Sequence, residues 1–414
     1  MRVLWFCNCP VLAQDGGDTG TWLDNAASRL IMSDKIKLGV VAGGGDKVER
    51  VAAHGFTQWV APGSFVRNGL PTKDVVDDLV RIVDEFKPHI VHVWGIEGYW
   101  GLLIARGLIK SPAVLTIQGI KSSIAPLYMG GLTFGEQVAC VGLKEFLRRR
   151  TLWQMRDSFA CHAAVEREIL NGFKYYLTNT EWAEAQVTAM DQRIKLLPAA
   201  DAINEKFFDT PPWEVPDVPT MLCVSAYPAP FKGLHVAVRA LALARERFPS
   251  LTLRIAGSLQ RKGLRNDGYV RWLNREINRL GLGQHVVWLG SLTSSKLAEE
   301  LLAASMLIVP SFIENFCISM QEAMVVGTPV VASFAGGLPS WPRYHGKTCL
   351  FFPPGDVQSC AYQVQRLLAD PELCQRISTT ARLLGRKFCG TEQVIKRLEE
   401  IYCQVIVETG ELRL

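Results

Sequence analysis

The chain has 414 residues, too many for one ordinary core at roughly 150 residues per domain. Its 48% apolar and 21% charged content excludes a disordered chain, and a net charge of only +5 leaves no concentrated basic face for nucleic acid. Eleven scattered cysteines without a CxxC pair exclude the common zinc frameworks and suit free thiols in a reducing cytosol. The N-terminal run MRVLWFCNCPVL is too short and too interrupted for a signal peptide and reads as a first strand over 2–7. No uninterrupted apolar run reaches ~18 residues, so no transmembrane helix is expected.

Further strands are predicted at 37–42, 58–61, 90–94, 113–118, 175–178 and 194–197, with helical patterns between most of them. Residues 74–86 place Val75, Val76, Leu79, Ile82, Val83 and Phe86 on one helical face, and 182–190 is a second such segment. Repeated strand–helix–strand order implies a parallel sheet covered on both faces. Residues 209–219, DTPPWEVPDVP, then carry four prolines, which remove donors and disfavour helix, so this stretch reads as a linker. The alternation restarts with strands at 221–225, 251–256, 286–289, 306–309, 330–332 and 350–352. The division is therefore an N-terminal domain over 1–208, a linker over 209–219 and a second doubly wound α/β domain over 220–390. The segment after 390 carries Val394, Ile395, Leu398, Ile401, Tyr402, Val405 and Ile406 on one stripe and is expected to pack back on the first domain.

Chemistry concentrates in 308–341, IVPSFIENFCISMQEAMVVGTPVVASFAGGLPSW. A strand ends at Pro310, a loop runs to Phe316, a helix spans about 317–326, and Gly327 stops it before the next strand. Ligands of open α/β sheets lie outside the carboxyl ends of strands, and a helix beginning there turns free N–H groups and its positive dipole end to that crevice. Glu314 in the loop and Glu322 in an otherwise apolar helix frame this phosphate-suited start: one carboxylate can reach a sugar hydroxyl, the other both hydroxyls of a ribose.

This stretch resembles the Glu-x7-Glu region of the retaining glycosyltransferases of family four, which have the GT-B fold. It keeps Pro310, Ser311, Glu314, Phe316, Glu322, Ala323, Met324, Gly327, Pro329, Val330, Val331, Ala332, Gly336 and Gly337 of that pattern. The similarity continues through Phe351, Pro353, Gly355 and Asp356, is strong after residue 220 and weak before it. The resemblance implies two Rossmann-like doubly wound domains facing a cleft, with a C-terminal helix crossing back to the first. It implies donor contacts from Gly17, Lys232, Phe316, Cys317, Ile318, Ser319 and Glu322, with Glu314 and Lys232 as catalytic residues. Lys232 opens the helix after the second domain's first strand, where a cation is disfavoured by the dipole unless an anion is expected nearby.

The chain departs from the family at four places. Cys317 stands where the family has glycine, Ser340 where it is often acidic, and Ser225-Ala226-Tyr227 lacks the family's arginine. Gln118 replaces the histidine of Thr-x-His-Gly; it can hydrogen-bond a sugar hydroxyl but cannot take a proton. Acceptor-side candidates are Gly16 in the glycine turn after the first strand, Gln118, and His92 in VHVWG. The stretch 143–156, LKEFLRRRTLWQMR, reads as a basic helix with an aromatic residue, suited to an anionic membrane surface, to an acceptor phosphate or simply to solvent.

The expected activity is sugar transfer from a UDP-, GDP- or ADP-sugar to a saccharide or lipid-linked acceptor, with retention, without a cofactor or metal. The place implied is the bacterial cytoplasm or the inner face of its plasma membrane, in polysaccharide assembly. No Asp-x-Asp pair writes a metal–pyrophosphate clamp. A nucleotide-sugar epimerase on the same fold, or a catalytically silent sugar-binding protein, would share these residues. A nicotinamide oxidoreductase is disfavoured, because Gly43-Gly44-Gly45 lacks the GxGxxG spacing.

Overall fold

A computed structural model describes residues 1–12, 21–53, 55–63, 69–189, 193–257 and 267–410, without the side chains of Thr21 and Asp267. The chain forms two compact units. The first comprises Met1–Ser122, Ala160–Ala202 and Gly390–Leu414; the second comprises Ser123–Phe159 and Ile203–Cys389.

The sheet of the first unit holds β1 (Arg2–Cys7), β2 (Lys37–Gly45), β3 (Glu49–Val51), β4 (Thr57–Pro62), β5 (Ile90–Trp94), β6 (Ala113–Thr116), β7 (Tyr175–Thr178) and β8 (Lys195–Pro198). Their order is β3-β4-β2-β1-β5-β6-β7-β8, parallel except for β3. Strands buried on both faces read as continuous apolar runs, and all five residues of β5 are buried. The edge strand β3 escaped the sequence reading because its three residues, ERV, are exposed or half-buried and carry no alternation. Helices α1 (Thr21–Leu30), α2 (Lys73–Phe86) and α3 (Trp100–Ala105) belong to this unit. In α2 the buried face is Val76, Leu79, Ile82 and Val83, and Lys87 ends the helix in a left-handed turn, its N–H donating to Val83 O.

The second unit holds β9 (Thr220–Val224), β10 (Thr252–Ala256), β11 (Val286–Gly290), β12 (Met306–Val309), β13 (Val330–Ser333) and β14 (Leu350–Phe352). They form an all-parallel sheet in the order β11-β10-β9-β12-β13-β14. The strand order reverses between β9 and β12 here, and between β1 and β5 in the first unit, which sets one switch point per sheet.

The units are not the contiguous spans expected. Ser123–Phe159, carrying α4 (Lys121–Ile124) at its start and then α5 (Phe134–Ala139), α6 (Leu143–Leu147) and α7 (Leu152–Ala160), groups with the second unit. The ties are local: His235 Nε2 meets Gly130 O at 2.8 Å, Arg239 pairs with Glu136, and Arg271 pairs with Glu145 at 3.1 Å. Helices α8 (Ala163–Asn171) and α9 (Glu181–Thr188) return the chain to the first sheet. The remaining helices of the second unit are α10 (Leu234–Arg245), α11 (Asp267–Arg279), α12 (Ser294–Ala303), α13 (Ile318–Val326), α14 (Val357–Ala369) and α15 (Pro371–Phe388).

The last helix, α16 (Thr391–Thr409), lies in the first unit. Its stripe from Val394 to Ile406 is buried with Trp5 and Leu38, and Trp5 Nε1 donates to Tyr402 Oη at 2.9 Å. No helix among the described residues is long and apolar enough to cross a membrane.

The basic stretch 143–156 is not one helix. Arg149 takes a left-handed φ of 51°, and Thr151 starts α7 afresh, its N–H donating to Gln154 Oε1 at 3.0 Å and its Oγ1 accepting from Gln154 N at 3.4 Å. Trp153 faces protein, donating from Nε1 to Gln137 Oε1 at 2.9 Å.

Candidate functional site at the switch points

In the second unit the loops after β9 and β12 are stitched together, with Phe312 N donating to Phe231 O at 2.7 Å. A short turn, Pro230–Lys232, leads into Gly233 at φ 71°, where a β-carbon would collide with Pro310 O. This is why glycine follows the lysine: the backbones of both loops pass too close for a side chain. The packing aims Lys232 at the second loop. Its Nζ donates to Glu314 Oε1 at 2.6 Å, and Ser311 Oγ donates to the same oxygen at 2.8 Å. Burial alone would depress the Lys232 ammonium; the Glu314 carboxylate outweighs that and holds it above its ordinary value.

Beyond Glu314 the chain turns at Cys317, which takes φ 57° and ψ 81° and caps α13. The resemblance noted in the sequence expects glycine here, the residue that takes a left-handed conformation without steric cost. The first intrahelical bonds are Met320 N and Gln321 N to Cys317 O. Among the described residues the N–H groups of Ile318 and Ser319 have no acceptor, so both open at the helix start beside Lys232 and Glu314. The other end of α13 stops at Gly327, φ 98°, whose N–H donates to Ala323 O.

Glu322 is the odd member of α13. It is 6% exposed among Met320, Ala323 and Met324, and its carboxyl has no hydrogen-bond partner among the described residues. Loss of water lifts its pKa to about 8. Burial is the only cause of that rise, and a strongly shifted carboxyl of this kind is a candidate acceptor for a ligand.

The loop carrying Glu314 is braced from beneath. Gly337 N donates to Glu314 O at 2.8 Å, and a β-carbon on Gly336 would collide with that same oxygen. Arg343, 3% exposed, donates to Phe316 O at 2.6 Å and to Gly337 O at 3.2 Å, with its guanidinium 5.2 Å from the Phe316 ring centre. The sequence reading did not single out Arg343. A lone arginine soon after a glycine pair was the signal, but only folding shows that it is buried. Phe316 thus belongs to the brace of the loop. Ser340 is a buried turn residue, its N–H donating to Gly337 O, and Ala226 is exposed with no arginine in its place.

In the first unit the switch point gathers different groups. Asn8, after β1, donates from Nδ2 to Glu97 Oε2 at 3.5 Å and accepts from Trp100 Nε1 at 3.0 Å. A β-carbon on Gly95, φ 91°, would collide with the Glu97 carboxyl and come within 3.0 Å of Gln118 Oε1, so the carboxyl and the amide converge over that glycine. Shielding from water raises the Glu97 pKa, opposed by backbone hydrogen bonding and by Lys121. Gln118 Nε2 is buried with no hydrogen-bond partner among the described residues. Glu97 was missed by sequence reasoning, although its place in WGIEG, three residues past a strand end, was the available signal.

Nearby, a small cavity is lined by Trp22, Trp94, Thr116, Asn179, Asp201 and Leu398. Trp94 Nε1 and Asn179 Oδ1 have no partner there among the described residues, and burial pushes Asp201 up to about 7 although Asn179 Nδ2 donates to it at 3.0 Å.

His92 does not join either group, which corrects the acceptor-side reading. It is fully buried in β5, with Nδ1 2.7 Å from Tyr402 Oη, Nε2 2.7 Å from Thr116 Oγ1, and its ring stacked on Trp94. Both ring nitrogens are committed, one to Tyr402 on α16 and one to Thr116 on β6, and burial drives its pKa well below the ordinary value. Gly16 and Gly17 lie outside the described residues.

With this geometry in hand, comparison with known proteins gives a consistent class. Residues 208–384 match the family described as glycosyl transferases group 1. That match takes in less than half of the chain, and the two Rossmann-like α/β units have the GT-B fold. Sulfoquinovosyl transferase SQD2 of Arabidopsis thaliana is 32% identical over 133 residues, which are 32% of this chain and 26% of that relative. The chain spans less than half the length of the curated relatives it matches. Among solved structures, sucrose-phosphate synthase from Thermosynechococcus elongatus superposes with TM-score 0.69 at 17% identity, covering 99% of this chain and 100% of that one. Anabaena HepE, in complex with UDP and glucose, gives 0.67 at 17% identity, covering 98% of this chain and 100% of that one.

Proposed function

We propose that the protein transfers a sugar from a nucleotide-diphosphate donor to a hydroxyl of a saccharide or lipid-linked acceptor, with retained anomeric configuration, in cell-surface polysaccharide or glycoconjugate synthesis. The observation that carries this reading is the Lys232–Glu314 pair, 2.6 Å apart, beside the open N–H groups of α13 and one helix face from the unpartnered Glu322. Departure of a nucleoside diphosphate builds negative charge on the β-phosphate. The Lys232 ammonium and the N–H groups of Ile318 and Ser319 are preorganised donors for that charge, so no metal ion is needed to supply it. With a donor present the ammonium is shared between Glu314 and the pyrophosphate, and Glu314 holds a hydroxyl of the transferring sugar. Glu322 accepts from the two ribose hydroxyls, and the UDP held by HepE supports a uridine donor. On the acceptor side, the Gln118 amide and the Glu97 carboxyl orient the attacking hydroxyl. The eleven free thiols and the lack of a described membrane-spanning helix support a cytoplasmic place.

The test is nucleotide release from UDP-, GDP- and ADP-sugars over a panel of oligosaccharide and lipid-linked acceptors, with chelator present, beside Glu314→Ala. Acceptor-dependent release from one nucleotide class that vanishes in the variant supports the reading, and the anomeric proton coupling of the product reads retention. Donor isomerised without acceptor would make the protein an epimerase. Donor bound but never turned over would make it a sugar-binding protein.

A further inference from the structure

Five large apolar side chains stand in solvent within one short stretch of the second unit. Phe134 is 73% exposed, Leu143 76%, Phe146 67%, Leu147 70% and Val138 46%. Phe134 and Val138 are four apart on α5; Leu143, Phe146 and Leu147 follow i, i+3, i+4 on α6. Each short helix therefore turns a whole apolar face outward, the reverse of what burial rewards.

The charges around these faces are sorted by sign. Arg148 and Arg149 follow α6 and are exposed, as is Lys144 on it. The acids of the same stretch are turned inward and matched: Glu136 pairs with Arg239 and accepts from Thr133 N at 2.8 Å, and Glu145 pairs with Arg271 and accepts from Gly142 N at 2.8 Å. Both carboxyls lie below their usual range despite burial, held there by hydrogen bonds and by these guanidinium partners. The outward surface thus presents apolar tips and positive charge, with its carboxylates withdrawn. A water-facing helix pair would show the opposite sorting.

We infer that residues 134–149 are a docking surface for an anionic lipid bilayer, with Leu143, Phe146 and Leu147 entering the headgroup–acyl boundary and Arg148 and Arg149 meeting lipid phosphates. The break at Arg149 matters here, because it ends α6 at its apolar tip and leaves the arginines at headgroup level while Trp153 of α7 turns back to Gln137. An acidic protein partner would satisfy the charge but not the exposed apolar tips beside it, whereas an anionic bilayer takes both. The consequence, resting on the proposed function, is that the acceptor is met at a membrane; the test reads binding alone and stands apart from any transfer assay.

The full chain is sedimented with vesicles of pure phosphatidylcholine and with vesicles containing ~30% phosphatidylglycerol, whose negative surface attracts basic segments. Binding to the anionic vesicles only, weakened by salt, is expected. Arg148→Ala with Arg149→Ala should weaken it about 30-fold, at the usual attraction per basic residue near such a surface. Leu143→Ser, Phe146→Ser and Leu147→Ser together should abolish it with an unchanged melting temperature, since these side chains are exposed. No binding to anionic vesicles, or equal binding by the wild type and both variants, overturns the inference. So does a wild-type dimer in light scattering that the triple serine variant converts to monomer, because a second copy would then cover the face.

Discussion

The two switch points share a topology and differ in chemistry. In the second unit the groups are an ammonium, a carboxylate, open helix N–H groups and a buried carboxyl, arranged for a polyanion with a diol. In the first unit they are an amide, a carboxyl and indole and asparagine groups, with Lys121 as the near cation, suited to neutral hydroxyls. Under the proposed function, the same crevice outside parallel strands would serve as a phosphate site or a hydroxyl site according to a few loop residues. The two also differ in how their loops are held. Gly233, Gly336 and Arg343 clamp the loop around Glu314, whereas the Glu97 carboxyl is met by backbone N–H groups and by Asn8, and Gln118 Nε2 has no partner among the described residues.

The largest test of this contrast is Lys232→Ala. Loss of the preorganised cation should lower the turnover number about 100- to 1,000-fold in steady-state kinetics, by analogy with removing one donor to a developing anion. A fall confined to KM would mean that Lys232 only binds the donor. Glu322→Ala should weaken nucleotide binding about 10- to 100-fold by calorimetry, the scale of hydrogen bonds to a charged group. Because the free carboxyl titrates near 8, wild-type affinity should rise with pH up to about 8, and a flat profile would remove the ribose role.

The same group gives a stability test. Its folded pKa, about 8, lies above the ordinary 4.5, so the native state holds a proton that the unfolded chain releases. The associated stability is complete below about pH 4.5 and is lost as pH rises through about 8. Glu322→Gln keeps the group neutral. Its stability advantage over the wild type should therefore widen between pH 5 and pH 9 by on the order of a few kcal/mol in chemical denaturation.

Gln118→Ala and Glu97→Gln sharpen the contrast from the other side. Each should raise the acceptor KM about tenfold, the value of one or two hydrogen bonds, and leave the nucleotide Kd unchanged. A shift in nucleotide affinity would show that the two switch points are not chemically separate. The smallest effect is expected for Cys317→Gly. Releasing a side chain from φ 57° should stabilise the protein by about 1 kcal/mol, less whatever its packing contributes. A clear loss in thermal denaturation would mean that the thiol packing outweighs the strain.

Sequence alone determined much of this molecule because parallel sheets and helix ends write themselves locally. Continuous apolar runs marked β1, β5, β7, β12 and β14 to the residue, and the stripe on α16 showed which face needed a partner. The spacing from Pro310 to Gly337 marked the loop, helix and stop of the donor side, since strand ends, helix starts and glycine turns are properties of neighbouring residues. Tertiary structure decided what depends on residues far apart in the chain. It sent Ser123–Phe159 to the second unit through ion pairs across a hundred residues, and it drew His92 into the core because Tyr402, on the last helix, claims one of its nitrogens. It also brought Glu97 beside Gln118 and buried Arg343 beneath Phe316. Periodicity records which way a side chain faces; which group it meets there depends on how sheets and helices pack, and no local pattern carries that information.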